Sequence, residues 1–209
     1  MDKNREFWEG IHKDNNLYWL TNSDPDYVYK LHDLTKNISE PHQHILEIGV
    51  GTGRSVARLA GLQHHVYAVD ISEDGLEKVK SYATTIQVHN ERKWPKNKID
   101  IALCHLVFQH CDDRDFSWIM KNVLESLTSE GFFTFQSADV EESNLNVQLK
   151  KYVEEGHLFF RSREQIIRAV CQFGGEVVNI SDDILHPKEC NIIWNIYRIG
   201  KRNNLLISN

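Results

Sequence analysis

The run Leu46-Glu-Ile-Gly-Val-Gly-Thr-Gly53 constrains the fold of this chain more than any other feature. It closes an apolar stretch, His44 to Val50, that reads as a strand, and it leads into Arg54 to Ala60, which reads as a short helix. Gly49 and Gly51 allow sharp backbone turning and let a ligand approach with no Cβ in the way. The amides that open the following helix point toward a ligand's negative group. Strand, glycine loop and helix in this order belong to parallel sheets, which bind ligands at the carboxyl ends of their strands.

The rest of the chain repeats that alternation. Strands are predicted at His65 to Ile71, Thr85 to His89 and Ile99 to Leu106, with a helix at Asp74 to Ala83. The nearly continuous apolar content of Ile99 to Leu106 suits a central parallel strand covered on both faces. Phe116, Ile119, Met120, Val123, Leu124 and Leu127 fall at three-four spacing behind a cap at Asp112 or Asp113. Gly131 admits a fifth strand, Phe132 to Gln136. Ser162 and Gln165 form a capping box for a helix ended by Gly174-Gly175. Glu176 to Ile180 and Ile192 to Ile199 are two more strands, joined without a helical pattern, so a hairpin and one antiparallel strand are expected. Near the amino terminus, Asp24 is expected to cap a helix with Pro25 in its first turn, carrying Val28, Leu31 and Leu34 inward. The fold class is α/β: a three-layer sandwich with a seven-stranded, mostly parallel, doubly wound sheet, an antiparallel last hairpin and an N-terminal helical lid.

Spacing separates the candidate ligands. A dinucleotide fingerprint would place its third glycine at position 54, where Arg54 stands. Asp70 ends the second strand, where a carboxylate can accept from both hydroxyls of a ribose. At this point four segments resemble, in order, the motifs of the class I S-adenosylmethionine-dependent methyltransferases of the small-molecule type. They are His44 to Arg54, Val66 to Ile71, Ile99 to His110 and Leu127 to Phe133. The resemblance implies S-adenosylmethionine as cofactor and roles for particular residues. Glu47 helps anchor the methionyl ammonium, and Gly49 and Gly51 let the backbone lie against the cofactor. Asp70 holds the ribose and Ile71 packs on the adenine. Asn90 stands where an aspartate commonly meets the adenine amino group, and its amide carbonyl can accept the same bond. His105 and Leu106 line the cofactor's other side. Ser129-Glu130-Gly131 replaces the family's usual Pro-Gly before the fifth strand.

Methyl transfer is in-line attack on a sulfonium methyl, so the protein mainly aligns the nucleophile and excludes water. An oxygen nucleophile also needs a base. His110, closing the fourth-strand motif, is the candidate, with Tyr18 as its partner from the amino-terminal segment. Trp8, His12 and Trp19 would form a lid, faced by His157, over a ring-shaped acceptor such as a sugar or an aromatic natural-product hydroxyl. Core packing is the expectation for Phe159 and Phe160.

Composition narrows the partners. The net charge of −6 over 209 residues argues against nucleic acid, whose phosphates require a basic face. No apolar run approaches the roughly 20 residues of a membrane span, and Met1 to Gly10 is no signal peptide, so a cytoplasmic protein without membrane contact is expected. Cys104, Cys111, Cys171 and Cys190 are expected as buried thiols, and the histidines show no spacing that would hold a metal. Residues 1–40 read as a lid and acceptor segment, 41–200 as the methyltransferase-like domain and 201–209 as a tail. Two other readings stay open: a non-catalytic binding or scaffold protein on this fold, and a nicotinamide-dependent oxidoreductase. The oligomeric state is not written in the sequence.

Overall fold

The computed structural model describes residues 3–13, 26–139, 153–154, 157–182 and 193–202. Its centre is a seven-stranded sheet made of β1 (His44–Ile48), β2 (His65–Asp70), β3 (Thr84–Gln87), β4 (Ile99–Cys104), β5 (Leu127–Asp139), β6 (Gly175–Asp182) and β7 (Ile193–Lys201). The order across the sheet is β3-β2-β1-β4-β5-β7-β6. The first five strands run parallel, and β7 lies antiparallel to both β5 and β6. The chain therefore reverses its winding direction between β1 and β4, and a crevice opens there at the carboxyl ends of the strands. The expected fold class, with its antiparallel closing hairpin, is the one observed.

Two apolar clusters hold the layers together. One joins β1, β2 and β4 to α2 (Tyr27–Leu31), α3 (Arg54–Gly61) and α4 (Glu73–Val79) through Tyr29, Leu34, Val56, Leu59, Leu76 and Val79. The other joins the sheet to α5 (Asp113–Ser126) and α6 (Arg163–Gln172) through Phe116, Met120, Val123, Ile166 and Val170. Within it the Phe135 and Tyr197 rings stack at 5.1 Å and tie β5 to β7. Full burial of each such side chain is worth about 1.5–3 kcal/mol. The amino-terminal helix α1 (Lys3–Lys13) packs on α4.

The local signals act as read. Asp112, rather than Asp113, caps α5 by accepting from Asp115 N at 2.8 Å, and Ser162 and Gln165 form both bonds of the capping box on α6. Several boundaries differ. The helix after the expected Asp24 cap is only five residues long, with Asp26 at its N-cap position and no side-chain cap bond. Tyr29, not Leu31, is its buried residue, whereas Leu34 is buried as expected. Asp24 and Pro25 lie outside the described residues. β5 starts at Leu127, directly after α5, instead of at Phe132. The pairing with β4 skips from Ile99↔Leu127 to Ile101↔Phe132, so the Thr128 to Gly131 segment bulges. Gly131 is required there because a Cβ would stand 2.5 Å from the Ile99 carbonyl. Cys104 and Cys111 are buried, but Cys171 is exposed, because it lies on the outer face of α6 away from Ile166 and Val170. Cys190 lies outside the described residues. No helix among the described residues is long and apolar enough to cross a membrane.

Candidate active site

The glycine loop is built from left-handed backbone: Gly49, Gly51 and Gly53 have φ of 80°, 51° and 79°. A Cβ at Gly49 would meet Val107 Cγ2 at 2.2 Å, so the loop can pass beneath the segment after β4 only with glycine there. Gly53 precedes α3, whose first turn has no side-chain cap. Asp70, at the end of β2, joins the two neighbouring loops. Its carboxylate accepts from Val50 N at 2.8 Å through one oxygen and from Ser72 N at 2.9 Å through the other. Burial pushes this carboxyl above its ordinary range, and the Ser72, His12 and Val50 contacts oppose that rise.

Glu47 lies next to the last residue of β1 and is 6% exposed. The Ser55 hydroxyl bonds its carboxyl, and Tyr29 holds Ser55 in turn, with its hydroxyl 2.7 Å from Oγ and donating to the carbonyl at 2.9 Å. Glu47 Oε2 has no hydrogen-bond partner among the described residues. Burial raises its pKa to about 8, because no cation among the described residues offsets the desolvation of its charge.

On the far side of Asp70, half-buried Ile71 packs against the sheet cluster. Asn90 sits in the turn after β3, its N–H donating to Gln87 O at 2.9 Å. That turn is pinned by Trp94 and Trp118, whose indole N–H groups both donate to the Val88 carbonyl, at 3.1 and 2.9 Å. His105 and Leu106 follow β4, and Leu106 is held at φ 56°, a strained conformation for a leucine. His105 Nδ1 lies 3.1 Å from His32 Nε2, and His32 Nδ1 lies 2.9 Å from Thr134 Oγ1.

His110 Nδ1 lies 2.9 Å from the His157 carbonyl. A carbonyl only accepts, so Nδ1 carries the proton and Nε2 keeps the lone pair. Burial lowers the pKa of His110 and keeps it neutral near pH 7. The Trp8 ring meets it edge-on at 4.8 Å, and Phe7 stacks on His157 at 4.6 Å. Arg161 anchors this loop from below. Its guanidinium donates to the Phe108 carbonyl at 3.2 Å, to the Cys111 carbonyl at 2.8 Å and to Asp113 at 2.8 Å, and lies over the Phe116 ring.

Glu47, Gly49, Gly51, Asp70, Ile71, Asn90, His105 and Leu106 thus border the strand ends, while Trp8, His110 and His157 form one ring cluster beside them. His12, one turn after Trp8 on α1, packs on Gly75 of α4. Tyr18 and Trp19 lie outside the described residues. The sequence reading did not single out Phe7, Glu9, His32, Trp94, Trp118 or the anchoring role of Arg161. Apart from Trp94, which bonds the nearby Val88 carbonyl, each acts across long separations that carry no local pattern.

Residues 45–131 match the family model described as "Methyltransferase domain". That stretch of the chain is similar to a methyltransferase domain. Solved structures with this fold include magnesium protoporphyrin IX methyltransferase from Synechocystis PCC 6803 with bound S-adenosylhomocysteine. It has TM-score 0.68 and 13% identity, over 94% of this chain and 97% of that one. Phosphoethanolamine N-methyltransferase 2 of Haemonchus contortus, in complex with S-adenosyl-L-methionine, has TM-score 0.69 and 15% identity over 96% of this chain and 60% of that one. The 1,6-didemethyltoxoflavin-N1-methyltransferase of Burkholderia thailandensis has TM-score 0.67 and 13% identity, over 94% and 86%. A search of curated proteins finds no match to this chain.

Proposed function

We propose that this chain transfers a methyl group from S-adenosylmethionine to a small organic acceptor, a sugar or aromatic hydroxyl. The observation that supports the cofactor best is the buried Glu47 carboxyl, one oxygen without a hydrogen-bond partner among the described residues, beside a glycine loop that leaves no room for a Cβ at Gly49 or Gly53. A ligand with an ammonium at one end and a ribose at the other suits Glu47 and Asp70 together. The backbone of Gly49 and Gly51 would lie along it, Ile71 and Asn90 would meet the adenine, and His105 and Leu106 would line the remaining side. Bound there, the cofactor supplies a methyl group on a positively charged sulfur, activated toward attack.

The chain's own groups then handle the acceptor. His110 Nε2 takes the proton that the acceptor hydroxyl loses as its oxygen gains the methyl group. The His157 carbonyl fixes the ring so that this nitrogen carries the lone pair. Trp8 and His157, with Tyr18, His12 and Trp19 as the further lid and acceptor candidates, exclude water and hold a ring-shaped substrate. Residues 1–40 serve as lid and acceptor segment and 41–200 as the catalytic domain. Lys201, assigned to the tail, completes β7. The acidic net charge and the small-molecule methyltransferases of like fold support a free metabolite over nucleic acid as acceptor. A protein of the cytoplasm is in keeping with this.

The test is a panel of sugar-nucleotide, phenolic and amine acceptors incubated with S-adenosylmethionine, with methylated product read by mass spectrometry. A hydroxyl acceptor should be methylated, and His110→Ala should lower its turnover by about 10²-fold or more. His110→Ala turning over at the wild-type rate would dispose of the base. Methylation of amines alone would remove the hydroxyl assignment.

A further inference from the structure

Helix α1 is fastened to the ribose end of the crevice by contacts its sequence gives little sign of. The Glu9 carboxylate accepts from the Ser72 hydroxyl at 3.0 Å, from Glu73 N at 2.8 Å and from Asp74 N at 3.4 Å, directly after Asp70 and Ile71. One turn further along α1, Lys78 Nζ donates to the His12 carbonyl at 2.9 Å. The imidazole between these two fastenings is 3% exposed. It packs on Gly75 so closely that a Cβ there would stand 3.1 Å from both Cε1 and Nε2. His12 Nδ1 is buried with no hydrogen-bond partner among the described residues. The Asp70 charge acts on the ring and the ring on Asp70.

An apolar side chain would fill this contact without the cost of a desolvated, unbonded nitrogen. The same nitrogen is useful beside a sugar, whose hydroxyls both donate and accept and so match a neutral imidazole in either tautomer. We propose that His12 is a cofactor-binding residue: its imidazole completes, with Asp70, the polar wall that recognises the ribose of the adenosine half. This moves His12 from the acceptor to the cofactor, makes α1 the cover of the ribose end, and gives Glu9 the role of holding that cover in place. The assignment rests on the S-adenosylmethionine reading above.

Calorimetric titration of the full chain with S-adenosylhomocysteine and with adenosine tests it without any knowledge of the acceptor. His12→Phe keeps a planar ring in place and removes both nitrogens, so it decides the matter even where His12→Ala disturbs folding. His12→Phe should weaken both ligands by about tenfold and by the same factor, because the lost contact is to the half they share. Glu47→Gln should weaken S-adenosylhomocysteine alone, because adenosine lacks the ammonium. Wild-type affinity for adenosine in His12→Phe would overturn the assignment and leave the cofactor reading standing. A wild-type protein that binds neither ligand would overturn both.

Discussion

Glu47 is buried, bonded on one side by Ser55, and left with an oxygen that no described residue meets. Burial pushes its pKa up to about 8, from an ordinary value of 4.5. A carboxyl raised by folding favours the folded state while protonated. That contribution is fully present below about pH 4.5 and is lost as pH rises through about 8. The ligand-free protein should therefore lose a few kcal/mol between those values, and Glu47→Gln should flatten the loss in a series of thermal melts. An ammonium ligand reverses the preference. Binding of S-adenosylhomocysteine should strengthen as pH rises toward 8 and release a proton near pH 7, seen by titration in buffers of different ionisation enthalpy. Unchanged proton release in Glu47→Gln would contradict this. The positions of Glu47 and Asp70 near strand ends were legible in the sequence because a short motif fixes each of them. Glu9 and His32 were not, because each gains its meaning from a partner more than 60 residues away, Ser72 for Glu9 and His105 for His32.

Among the elements, the glycine loop and the helix caps make opposite predictions. Gly49→Ala meets both a φ of 80° and Val107 Cγ2 at 2.2 Å, so the loop or the segment after β4 must shift. A loss of about 2 kcal/mol or more in denaturant unfolding is expected, together with loss of S-adenosylhomocysteine binding. Ser162→Ala removes the capping box on α6 and should cost about 1 kcal/mol while leaving ligand affinity as in the wild type. Equal effects on binding would show that α6 is coupled to the crevice. Capping residues and apolar periodicity made α5 and α6 readable from the sequence. The start of β5 was not readable, because its bulge depends on the approach of Thr128 to Gly131 to the Ile99 carbonyl across the sheet. The short α2 was misjudged for a related reason. Its stability comes from Tyr29 reaching Ser55 rather than from a cap.

For the molecule as a whole, the sheet's winding reversal sets the crevice between β1 and β4, and segments distant in sequence then close around it. α1 arrives over α4, and residues 157–161 clamp the loop after β4 through His157, Phe159 and Arg161. Arg161→Ala would leave the Phe108 and Cys111 carbonyls without their guanidinium donor. A destabilisation of about 2–3 kcal/mol is expected, and Arg161→Lys should recover little of it because lysine lacks the planar fork. Recovery by lysine in urea unfolding would mean that charge alone holds the clamp. The overall architecture was written in the alternation of strands and helices, whereas the walls of the site come from these long-range closures. The measurement that bears most directly on function is titration of the full chain with S-adenosylhomocysteine, with NADH as control and Asp70→Ala as the variant. Micromolar binding, about −8 kcal/mol, weakened at least tenfold by Asp70→Ala and absent for NADH, is the predicted result. No binding of S-adenosylhomocysteine, or binding of NADH in its place, would contradict the assignment of this crevice as a methyl-donor site.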